Sequence, residues 1–136
     1  MRAFEIQLAS QIPSGKNQQE RVYNKDIGRY MAIPNKRFEL WRDEAGHEIL
    51  SQKGKWPAAI RLRLPINVPL VAHISYRPLD QRVRDLPGMQ DALWHLLEWS
   101  HTVLDDKFIK GVTWEYPYRT EGPCVMLRLE LADERV

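Results

Sequence analysis

The 136-residue sequence contains a single cysteine, Cys124. One cysteine excludes an intrachain disulfide and a cysteine-rich zinc site, and its apolar CVMLRL context argues for a small core residue rather than a nucleophile. No apolar run approaches the roughly 18 residues of a membrane span, and the N-terminus lacks a signal-peptide pattern, so a cytoplasmic protein without a membrane partner is expected. No glycine-rich phosphate loop, nucleophile elbow or zinc-protease helix is present. Neither sign of charge dominates: 20 Lys and Arg oppose 18 Asp and Glu, giving +2. That balance is only a mild signal for a polyanionic partner.

What is present is enough apolar material, 43% of the residues, to build one core. The expectation is a single domain over residues 1–136. Arg2 to Ala9 alternates Phe4, Ile6 and Leu8 with Glu5 and Gln7, the pattern of a strand with one buried face. A loop and hairpin region follows, with Pro13, Gly15 and Gly28 as turn signals. In it Lys16, Arg21, Lys25, Arg29, Lys36 and Arg37 interleave with Tyr23 and Tyr30. Such a mixture suits phosphate contact and base stacking, and composition alone suits an ordinary surface loop slightly better.

Asn35 can cap a helix reaching about Leu50, which would bury Phe38, Trp41, Ala45 and Ile49. The segment Lys53 to Trp56 reads as a loop. Residues 60–78 read as extended chain, with Pro69 to Tyr76 as the better strand and Leu70, Ala72, Ile74 and Tyr76 on one face. His73 falls on the other face and receives no catalytic role. FIKGVTWEY and CVMLRLEL are two further strands, read as a hairpin across PYRTEGP. The order implies an α+β domain in which two main helices cover one face of a mixed sheet.

Charge distribution says more than the sum. Between Ser51 and Arg84, seven basic residues, among them Arg82 and Arg84, are opposed by Asp80 alone, and the zone leads into Asp85. From there RVRDLPGMQDALWHLLEWSHTVLDDKFIK sets an amphipathic helix between acids. Pro87 suits its first turn, Met89, Leu93, Leu96 and Leu97 form its apolar stripe, and Asp105 and Asp106 follow it. Trp94 and Trp99 read first as core. Grouped carboxylates beside a basic zone are what metal-assisted phosphodiester chemistry needs: hard oxygens for the cation, and Lys or Arg for the backbone.

In element order and spacing the chain resembles the RusA family of Holliday junction resolvases, endonucleases that cut four-way DNA junctions. The family's early basic Pro-Ser loop with a nearby Asn is seen as Pro13, Ser14 and Asn17. The spacing of its Asp-x-Asp-Asn motif, helix and closing Asp-Asp pair fits RDLPGMQDALWHLLEWSHTVLDD without a gap. The resemblance implies that Asp85 and Asp106 bind Mg²⁺ or Mn²⁺, with Asp105 beside them. It also implies a homodimer acting on branched DNA through Lys16, Asn17, Arg21, Lys25, Arg29, Arg82 and Arg84. The second motif aspartate falls on Pro87, the Asn on Gly88 and the catalytic lysine on Asp91. Asp91 lies four residues past Pro87, so it can return a carboxylate one helical turn later, with Lys107 or Lys110 replacing the lysine. The plainer reading makes Asp91, His95 and Glu98 the helix's solvent face. A branched-DNA binder without cleavage, and an interaction domain with no DNA role, are the alternatives.

Overall fold

The computed structural model describes residues 3–13, 19–34, 36–80, 85–115 and 117–132, with the side chains of 19–22 and 31–34 outside the description. The elements are β1 (Ala3–Leu8), β2 (Gln19–Asn24), β3 (Arg29–Pro34), α1 (Lys36–Gln52), α2 (Ala58–Arg61), β4 (Leu70–Tyr76), α3 (Leu86–Trp99), β5 (Ile109–Trp114) and β6 (Val125–Leu131). Four strands form a mixed sheet in the order β1-β6-β4-β5, and β2 pairs with β3 in a separate two-stranded ribbon. The α+β expectation holds: α1 and α3 cover one face of the sheet.

Alternation builds that face. Phe4, Ile6 and Leu8 of β1, Leu70, Ala72, Ile74 and Tyr76 of β4, and Val125, Leu127, Leu129 and Leu131 of β6 are all buried. Against them α1 sets Phe38, Trp41, Ala45 and Ile49, and α3 sets Met89, Leu93, Leu96 and Leu97, the residues that helical periodicity selects. Trp94 joins this core, whereas Trp99 is 43% exposed. The other sheet face is open and polar. On it His73 is within 2.8 Å of Thr113 Oγ1 through Nδ1 and 3.3 Å of Glu130 through Nε2, and Arg128 reaches the same carboxylate.

Two expectations are corrected. Residues 108–116 and 124–131 do not form a hairpin, because β4 lies between β5 and β6, parallel to the former and antiparallel to the latter. The connection of ten residues from 115 to 124 exceeds the two to five typical of a hairpin. Arg119 fixes that connection by donating to Ser75 Oγ, Ser75 O, Glu121 O and Pro123 O. The second correction is that Ile60 and Arg61, read as the start of the extended chain, close the helical turn Ala58–Arg61, which opens after Pro57 and buries Ile60.

β1 is an edge strand whose outward backbone groups are met by side chains. The Gln52 amide accepts from Gln7 N at 2.8 Å and donates to Gln7 O at 2.7 Å, as a neighbouring strand would. Glu48 accepts from Ala9 N, and the buried Trp56 donates its indole N–H to Glu5 O at 2.9 Å.

Candidate functional site

The acidic residues are positioned by the two ends of α3. Asp85 is its N-cap: the carboxylate accepts from Gly88 N at 3.3 Å, and Pro87 in the first turn has no N–H to leave unsatisfied. The far end closes in a Schellman motif, with Thr102 N donating to Leu97 O at 3.0 Å and His101 N to Glu98 O at 3.1 Å. His101 takes the left-handed position at φ 58°, where glycine is usual. Thr102 is fully buried, and its carbonyl accepts from Ile66 N while Ile66 O accepts from Leu104 N. These bonds turn the chain back along the helix it has just left.

The reversal brings Asp105 and Asp106 onto Glu98. Carboxylate oxygens of the three residues all lie within 4.8 Å of one another. Glu98 Oε1 accepts from Asp106 N at 2.7 Å, and Asp105 Oδ1 accepts from Lys107 N at 2.8 Å, so both acids also fix the loop. Each keeps a second oxygen for other partners. Lys107 is exposed, with its ammonium 5.4 Å from the centre of the Phe108 ring, and Lys110 is exposed on β5.

The grouping differs from the expected one. Asp85 and Asp91 do not belong to it, because a 14-residue helix separates its ends by about 20 Å. Asp91 is exposed, two turns or about 10 Å along the helix from Glu98. Asp91, His95 and Glu98 do form one stripe, and it runs into the cluster rather than ending in open solvent. Glu98 is therefore the member that motif matching missed. Its seven-residue spacing from Asp91 was a visible signal, but a histidine where glycine would announce the turn concealed the fold-back. His95, packed edge-on against Phe38 with ring centres 5.2 Å apart, is held below the usual histidine pKa by burial first and by Arg42 second, against an opposing pull from Glu98.

Of the DNA-contact candidates, Lys25 and Arg29 are exposed on the turn and flank of the β2–β3 ribbon. Arg21 lies in β2 with its side chain outside the description, and Lys16, Asn17, Arg82 and Arg84 lie outside the described residues, as does the expected cap Asn35. Cys124 is fully buried and burial pushes its thiol up, which fits an inert core residue. Among the described residues no helix is long and apolar enough to cross a membrane. No protein-family model matches the chain, and no curated protein matches it either.

Proposed function

We propose that the chain is a metal-dependent, structure-selective endodeoxyribonuclease that resolves four-way DNA junctions as a homodimer in the cytoplasm. One observation carries the reading: the resolvase-like run from Asp85 to Asp106 ends in an acidic pair that folds against a third carboxylate. The donor set suits the chemistry. Three carboxylates supply hard oxygens within 4.8 Å of one another, so Glu98, Asp105 and Asp106 would hold the ion. Bound there, the ion supplies Lewis-acid stabilisation of the scissile phosphate and eases deprotonation of the attacking water. Lys107, exposed beside the pair, would meet the phosphate charge, and Lys25 and Arg29 the flanking backbone.

Asp85 takes part on this reading only across a dimer, and Asp91, near the middle of α3, takes no part. If two α3 helices run antiparallel about a two-fold axis, the N-terminal end of one lies beside the C-terminal end of the other, and the partner's Asp85 approaches this chain's Asp106. Apposed carboxylates repel unless a cation lies between them, so dimerisation and metal binding would support each other. Paired, nearly symmetric cuts fit such a two-fold assembly.

A second reading is favoured by the helix start, where Pro87 and Gly88 replace an acid and an amide: a branched-DNA binding relative without cleavage. Cutting of a synthetic four-way junction in Mg²⁺ decides between them. The natural chain is expected to cut, Asp106→Asn to lose at least about 100-fold in rate, and Asp85→Asn to lose cutting while keeping the helix cap. Junction binding with no cutting in either Mg²⁺ or Mn²⁺ would select the binding relative. Asp91→Asn is expected to leave cutting unchanged, since Asp91 lies about 10 Å along the helix from Glu98.

A further inference from the structure

The β2–β3 ribbon stands apart from the four-stranded sheet, and its tip carries an unusual set of exposed groups. Tyr23 and Tyr30 are directly opposite each other in the register, with ring centres 5.3 Å apart and planes inclined at 62°. They are 51% and 62% exposed, and Ile27 in the connecting turn is 49% exposed. Lys25 in the turn and Arg29 at the start of β3 are exposed on the same tip. The turn is well specified: Asn24 Oδ1 accepts from Asp26 N at 2.9 Å, Gly28 N donates to Asn24 O at 2.9 Å, and Gly28 takes φ +66°, which only glycine adopts without strain.

An isolated two-stranded ribbon is marginal in water, so a cross-strand aromatic pair helps to hold it. Packing alone does not call for aromatic rings, since a β-branched pair fills the same role and leaves less apolar surface in water. Both rings are half or more exposed, and exposed cations on the same ribbon tip suit a polyanion whose bases are accessible. Duplex DNA hides its base faces in the stack. The exchange point of a four-way junction is where bases are most readily unstacked.

Resting on the junction-directed reading above, we propose that the ribbon tip enters the branch point and stacks unpaired bases on Tyr23 and Tyr30, with Lys25 and Arg29 on the adjoining phosphates. The ribbon then recognises structure rather than sequence, because every base offers a π-face. It acts in binding, apart from the acidic cluster that would cut.

The test compares affinity for a four-way junction and for a duplex of equal length, in EDTA so that no strand is cut. Tyr23→Val/Tyr30→Val keeps a β-forming cross-strand pair without rings, and Tyr23→Phe/Tyr30→Phe keeps the rings without hydroxyls. The valine pair is expected to lose about ten-fold or more in junction affinity while duplex affinity changes less than about two-fold, and the phenylalanine pair to bind both as the natural chain does. Thermal melting followed by circular dichroism checks folding, and the single changes Tyr23→Thr and Tyr30→Thr, each sparing one ring, are expected to give intermediate losses. Undiminished junction preference in the valine pair would overturn the stacking role and leave the nuclease reading standing. A natural chain with no preference for junction over duplex would overturn both.

Discussion

His101 holds a left-handed backbone, φ 58°, at the turn that returns Asp105 and Asp106 to Glu98. A Cβ in that conformation costs roughly 1 kcal/mol, and glycine removes the cost at some loss of unfolded-state restriction. His101→Gly is expected to stabilise the fold by ~0.5–1 kcal/mol in urea denaturation, with the cluster intact. His95 provides a second residue-level test, in pH. Its folded pKa lies below the unfolded value of about 6.5, so the unfolded chain takes the proton first as pH falls. Stability is therefore full above that value and declines as pH drops through it toward the lower folded value. Urea midpoints at pH 7.5 and 5.5 are expected to fall further for the natural chain than for His95→Gln. Individual acids were readable in the sequence because carboxylates bracket a helix there. Their partners were not, since the turn that chooses Glu98 over Asp85 rests on a backbone angle with no glycine to mark it.

At the scale of elements, α1 and α3 meet where Gly46 faces Trp99. A Cβ built on Gly46 would lie 2.5 Å from Trp99 Cζ3, and the Arg42 guanidinium stacks on the same indole, 4.7 Å from its centre. Glycine in a helix interior costs about 0.5–1 kcal/mol relative to alanine, a cost the ring's seat offsets. Gly46→Ala alone is expected to lose about 1–3 kcal/mol by overpacking, whereas in a Trp99→Ala background the same change should gain about 0.5–1 kcal/mol. A thermodynamic cycle of melts checks the reversal of sign. The helices and most strands were legible because their burial follows periods of 3.6 and 2, and Phe38, Trp41, Ala45 and Ile49 or Leu70, Ala72, Ile74 and Tyr76 could be read directly. The helical turn at Ala58–Arg61 was not, being too short to show a period.

For the whole molecule, strand order was the least legible property. Nothing local to residues 109–114 or 125–131 tells them to flank β4 instead of each other; the long connection between them, which Arg119 ties down, lets β4 stand between. The sheet's outer limit is likewise set from a distance, by Gln52 in α1 bonding both backbone groups of Gln7. Removing that amide by Gln52→Ala is expected to cost about 1–2 kcal/mol and to raise light scattering on mild heating, as bared strand edges pair between molecules. A genetic screen scored by activity in crude extract would then count Gln52 among the functional residues, although the defect would be in abundance. Assays normalised to soluble protein would return it to its place as a solubility determinant carried on a helix.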